Sequence, residues 1–259
     1  MYSLINRTEA IVLALILFIG MIIMAVLGRY ASRMWNKEHS GPEGGMNSIF
    51  GAMFALSGLI LAFTFGMSGT RLEKVRNVVA EEAKDIEAAI LRSDLYADSI
   101  RDGFRNDFKN YLEAIIASYN GVYNLDQLHK AKEDAEKARK SLWARAAQQS
   151  KLPNMLTPSA QMLTALGGMF DVAQSRDIIL KSKVPDLIIY MLFVCVLATC
   201  FIGGFTSRPF GSKEWVIVVA FSIVTAMVAY TTIDLARPLR GIIKDEAGQE
   251  AIIELRKMF

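Results

Sequence analysis

The chain has 259 residues, of which 53% are apolar and 21% charged, with a net charge of +3 and a mean hydropathy of +0.29. That balance leaves room for one or two domains and points to a multi-span membrane protein with a sizeable aqueous part. The charge excess is too small to indicate a nucleic-acid partner, and the only two cysteines, Cys195 and Cys200, lie on different faces of one apolar run and give no disulfide framework.

The first apolar run, about Ala10–Leu27, is uncharged and long enough to cross a bilayer with flanking help. It is too long for a cleavable signal, and no small-x-small site leads into soluble sequence. Arg29, Tyr30, Arg33, Trp35 and Lys37 follow as a basic and aromatic interface belt, and Ser40–Gly45 reads as a turn. A second span covers about Ile49–Met67, so residues 1–67 read as a transmembrane hairpin.

No proline interrupts the stretch from Gly51 to about Leu95, and Gly69 is its last glycine. A single helix on the order of 65 Å long would pass from bilayer to solvent here. One face runs through both halves at the helical period: Gly58, Ala62, Phe65, Gly69, then Leu72, Val75, Val79, Ala83, Ile86 and Ile90. Its membrane half is mostly small, as expected where helices pack closely in lipid. Its soluble half is aliphatic, as expected of a bundle seam.

Residues 68–184 read as a four-helix domain. The long helix ends near Asp98. A second helix, capped by Ser99, covers Ile100 to about Tyr119 with Phe104, Phe108, Tyr111, Leu112 and Ile115 on one face. A third, mostly polar, starts at Asn124 with Gln127 three residues on and ends near Lys151. A fourth opens at Thr157-Pro158 and closes near Lys183. Residues 185–235 form a second hairpin with spans at about 187–205 and 215–233, and 236–259 form a charged tail. The expected fold class is therefore an all-α membrane protein, with four transmembrane helices in two hairpins and a helical bundle or stalk between spans two and three. Arg7, Arg71, Lys74, Arg76, Lys181, Lys183, Arg237, Arg240 and Lys244 flank one membrane face, against Arg29, Arg33, Lys37, Arg208 and Lys213 on the other. The larger count puts both termini and the central domain in the cytoplasm.

Two stretches carry a resemblance. LAFTFGMSGTR followed by EEAKDIEAAILRSDL resembles the pattern AFxF…R…EANAIGTAYLRxDLL of the bacterial bestrophin-like membrane domain family, and IDLARPLRGII resembles that family's DLDRPFxGLI signature. The resemblance covers nearly the whole chain and touches Phe63, Phe65, Glu82, Ala83, Leu91, Arg92, Leu95, Asp234, Arg237, Pro238 and Gly241. Lys84 replaces the family's usual Asn, and Glu87–Ile90 replaces Gly-Thr-Ala-Tyr. The resemblance implies kinship with bestrophins, which are oligomeric anion channels lined by their second span. It thereby implies a homo-oligomer, pentameric by family analogy, in the bacterial inner membrane. Its partners would be the lipid bilayer and inorganic ions, with no cofactor and no enzymatic activity.

On that reading Ser57, Leu61, Thr64 and Ser68 are the pore-lining candidates, with Leu61 as a dry constriction. Arg71, Lys74 and Arg76 would concentrate anions at a pore mouth. Asp234, Arg237 and Pro238 form a structural clamp or gate where the last span ends, with Arg71 as an alternative partner for the carboxylate. Glu81, Glu82 and Asp85 read as a solvated face, or as partners for Arg92 or Arg101. His39 and His129 are isolated, and no metal-ligand spacing, phosphate loop or nucleophile elbow occurs. The competing reading is a membrane-anchored interaction, signalling or scaffold protein without a pore. In that reading the second span packs inside its own subunit and its Ser and Thr hydroxyls bond to neighbouring helices.

Overall fold

Apolar residues at helical spacing, divided by a few breakers, give eight α-helices among the residues described. The computed structural model describes residues 9–35, 44–121, 124–182, 185–206, 212–237 and 246–259. The helices are α1 (Ala10–Trp35), α2 (Gly44–Arg92), α3 (Asp98–Asn120), α4 (Leu125–Gln149), α5 (Leu156–Lys181), α6 (Asp186–Thr206), α7 (Ser212–Leu235) and α8 (Glu246–Glu254). Short 3-10 turns stand at Ser93–Leu95, Pro153–Met155 and Leu255–Met258. Four stretches are long and apolar enough to cross a membrane: α1, the first half of α2, α6 and α7.

α2 is helical without interruption over 49 residues, about 73 Å at 1.5 Å per residue. It is longer at its start than the sequence suggests, because Gly44 and Gly45 enter its first turn instead of a loop. It gives way to the 3-10 turn at Ser93 instead of running to Asp98. α3 begins at Asp98 behind Ala97, ahead of the expected Ser99 cap. α5 begins at Leu156, so Pro158 falls within a first turn, where its missing N–H costs nothing. The Asn124 cap forms as expected, with its side-chain oxygen accepting from the Asp126 and Gln127 amides at 3.1 and 3.3 Å. The expected turns at 40–43 and 207–211, together with Arg7, Lys37, His39, Lys183, Arg208, Pro238, Arg240, Gly241 and Lys244, lie outside the described residues.

The chain divides into two compact units. The first comprises Met1–Arg71 and Lys183–Arg237. Its tightest packing does not join chain neighbours: α1 pairs with α6, and next with α7. Leu17 and Met21 of α1 meet Leu192, Val196 and Cys200 of α6 and Ala229 of α7. Gly20 lies against Leu197, Gly28 against the Phe201 carbonyl and Gly204 against the Ala25 carbonyl, so α1 and α6 run parallel with their backbones touching. Only glycine permits that approach, since a Cβ at Gly28 or Gly204 would occupy the space of a carbonyl oxygen.

The second unit comprises Leu72–Ser182 and Pro238–Phe259. The expected seam of α2 is its core wall: Leu72, Val75, Val79, Ala83, Ile86 and Ile90 are all buried. Phe104, Phe108, Tyr111, Leu112 and Ile115 of α3 face it, with Leu142 and Ala146 of α4 and Met162, Leu166 and Met169 of α5. Arg145 of α4 clamps α3: its Nε donates to Asp107 Oδ2 at 2.7 Å, and its guanidinium lies 5.8 Å over the Phe104 ring beside Gly103. The C-terminal segment is part of this core instead of a free tail. Ile252 and Leu255 are buried in it, and Arg256 forks onto Glu113 of α3 at 2.8 and 2.6 Å.

Candidate functional site

The membrane half of α2 has two faces of different character. One turns into its own protomer. Ser57 Oγ lies 2.7 Å from Thr199 Oγ1 of α6, and that pair also bonds to the Cys195 and Met53 carbonyls. Phe50 packs on Gly203 and Phe54 on Phe221, and Ile60 and Leu61 flank the apolar cluster of α1, α6 and α7. Thr64 Oγ1 donates to the Ile60 carbonyl at 2.7 Å. Ser57, Thr64 and Ser68 are all buried, with Ser68 Oγ enclosed and without a hydrogen bond. Of the four residues expected to line water, Ser57, Thr64 and Ser68 are thus buried within the protomer and Leu61 is half-buried, and Ser57 is the one whose hydroxyl bonds to another helix.

The opposite face has no such cover. A Cβ built on Gly58, Gly66 or Gly69 would meet nothing within 4 Å, although the small-residue face was expected to be the packed one. Leu59 and Phe63 point outward, Phe63 with 66% exposure, the highest of any large apolar side chain in this span. Only 11% of the apolar stretch of α2 is buried in the protomer, against 28–33% for the other three spans.

Beyond the span, Arg71 is half-buried while Lys74 and Arg76 are exposed on the next turns of the same helix. Asp234 sits in the last turn of α7 with 3% exposure, and its carbonyl accepts from the Arg237 amide at 2.9 Å. Asp234, Arg237 and Arg71 each make further polar interactions. Pro238, the third member of the expected clamp, lies outside the described residues.

The acidic run at the start of the aqueous half of α2 is not one solvated face. Glu81 is exposed, but Glu82 is fully buried, and both its oxygens accept from Arg176 Nη1 of α5, at 2.7 and 2.8 Å. Arg92 instead donates to the Ala88 carbonyl, and Arg101 pairs with Asp98. Burial works against the Arg176 guanidinium. The Glu82 carboxylate, helped by Tyr119, Asp177 and Tyr111, more than reverses that, and holds it above its ordinary value. Burial likewise pushes the Glu82 carboxyl up, and Arg176 pulls it back only in part. The sequence signal for this pair was the period alone, since Glu82 lies three residues after Val79 and four before Ile86 on the seam.

A cleft of about 630 Å³ opens between α3 and α4, but its carboxylates are engaged, Asp107 by Arg145, Glu113 by Arg256 and Asp134 by Lys137. Among the described residues, no three His, Cys, Asp or Glu side chains gather in a way that would hold a metal ion.

A family model described as a bestrophin-like domain matches residues 14–244. No curated protein matches the chain. Among solved structures, a bacterial bestrophin homologue from Klebsiella pneumoniae, phased by zinc anomalous scattering, superposes with a TM-score of 0.59 at 13% identity, over 94% of this chain and 98% of that one. Two point variants of a Klebsiella pneumoniae homologue superpose with TM-scores of 0.59 and 0.58 at 11% and 12% identity, over 93% and 96% of this chain and 98% and 96% of theirs. At that identity the likeness carries the fold.

Proposed function

The chain belongs to the bestrophin-like domain family, and we propose that copies of it assemble in the bacterial inner membrane around a pore lined by α2 that conducts inorganic ions. The observation that carries this is the uncovered outer face of α2: the helix with the least cover from its own protomer is the one left to meet other copies. The lining would be the outward face, Leu59, Ala62, Phe63 and Gly66, while Ser57, Leu61, Thr64 and Ser68 hold α2 against its own subunit. A ring of Phe63 side chains would form the dry constriction that gates by dewetting. Arg71, Lys74 and Arg76, repeated around the axis, would favour anions at the mouth. Asp234 and Arg237 would clamp the end of α7, and the helical unit and termini would be cytoplasmic.

The test is mass and current. Purified protein in nanodiscs should have the mass of a closed oligomer, and in planar bilayers it should pass current. Phe63→Ser should raise conductance, and Arg71→Glu should lower the anion preference. An impermeant thiol reagent added to intact cells should fail to reach a cysteine at Lys137. A monomer, or an oligomer silent both as parent and as Phe63→Ser, would leave the scaffold reading in place, with the outward face of α2 against lipid.

A further inference from the structure

Along the aqueous half of α2, the buried positions Leu72, Val75, Val79, Glu82, Ile86, Ala89 and Ser93 repeat at alternating steps of three and four. On α5, Ser159, Met162, Leu166, Met169 and Arg176 follow the same rule, with Ala173 as the intermediate step. These are heptad seams. Tyr96 bonds to Ser159 at 3.3 Å, Asp85 lies beside Gly168, and Glu82 bonds to Arg176, so the two seams run antiparallel. A seam of aliphatic residues specifies its register weakly, because a slip of one heptad returns Val or Ile against Met or Leu. The charged side chains in these seams are Glu82 and Arg176, and they face each other. A slip of one heptad toward the α5 N-terminus would set Glu82 opposite Met169, and a slip either way would part it from Arg176, whose remaining carboxylate is Asp177 of its own helix.

We propose that the Glu82–Arg176 pair fixes the register of α2 against α5 and adds little to stability. Desolvating two charges costs nearly what their attraction returns, so such a pair is poor as a stabiliser and strong as a discriminator. Asp177 supports it from the wetter side, accepting from Arg176 Nε and Nη2 at 3.3 and 3.0 Å.

The test uses full-length protein in detergent, with Cys195 and Cys200 changed to Ala. Asp85→Cys with Gly168→Cys reports the native register. Asp85→Cys with Gln161→Cys, or with Ser175→Cys, reports slips of one heptad in either direction. With Glu82 and Arg176 in place, oxidation should join only the native pair. In the Glu82→Leu/Arg176→Met background the slipped pairs should form too, with the native-to-slipped ratio falling by at least about tenfold while the melting temperature stays within a few degrees. Crosslinking that stays native in that background overturns the proposal, whatever its melting temperature. A large loss of melting temperature without slipped products shows the pair to be a stabiliser and also overturns it. Neither result depends on whether the protein conducts ions.

Discussion

Gly28→Ala adds one methyl group at the point where α1 and α6 touch. The new carbon would fall on the Phe201 carbonyl oxygen, with Phe205 N close by. Backbone atoms cannot rotate aside as a side chain would, so the two helices must separate. Overpacking a well-fitted core costs roughly 1–3 kcal/mol. The upper part of that range applies here, because separation also loosens Leu17 and Met21 from Leu192 and Val196. About 2–3 kcal/mol in a chain of this size lowers the melting temperature by roughly 4–12 °C. Gly204→Ala should behave alike, since its Cβ would fall on the Ala25 carbonyl. Gly66→Ala is the control: nothing lies within 4 Å of its Cβ, and alanine favours a helix over glycine by up to about 1 kcal/mol. Tryptophan fluorescence melts at fixed detergent and protein concentration would read all three variants. Melting of Gly28→Ala within about 1 °C of the parent, or of Gly66→Ala as low as Gly28→Ala, would refute the division of the spans into packed and outward faces.

Thr199→Val keeps the shape of the side chain but removes the hydroxyl shared with Ser57, and should cost about 0.6–1.7 kcal/mol, read as a melt a few degrees lower, with Thr199→Ser close to the parent. Asp234→Ala, at a site with 3% exposure, should lower the melting temperature more than exposed Glu81→Ala, for which about 0–1 kcal/mol is expected, and equal melting temperatures would contradict this. Leu166→Ala, at a fully buried site in the helical unit, should cost about 2–5 kcal/mol in denaturant titrations followed by circular dichroism.

Much of the fold was legible because period and burial agree wherever a helix has one wet face. The seam from Leu72 to Ile90 and the α3 set from Phe104 to Ile115 were readable residue by residue, since polar neighbours mark the outside. In the membrane half of α2 that contrast disappears. Gly, Ala, Leu and Phe suit lipid, another copy or a tight crossing equally, so composition did not tell the face of Ser57 from the face of Gly66. The hydroxyls pointed to water or to a helix partner, and the partner of Ser57, Thr199, lies 142 residues away in the sequence. Glu82 was hidden by its neighbours Glu81 and Asp85, and its partner lies 94 residues downstream. Ile252 and Leu255 stand three apart in a segment that its charges made look like a tail.

Because Ile252 and Leu255 complete a core whose other walls lie within Leu72–Ser182, the second unit is discontinuous, interrupted by the third and fourth spans. During synthesis its four helices emerge first and must wait, with the α3 surface that receives α8 still open, while two membrane segments are made and inserted. Closing that surface carries the loop entropy of the whole intervening stretch, and such distant contacts form late in folding. A fragment cut at Leu72 and Ser182 should therefore be a waiting intermediate instead of a finished domain, sticky at the α3 surface around Glu113 until a peptide carrying Glu246–Phe259 is supplied.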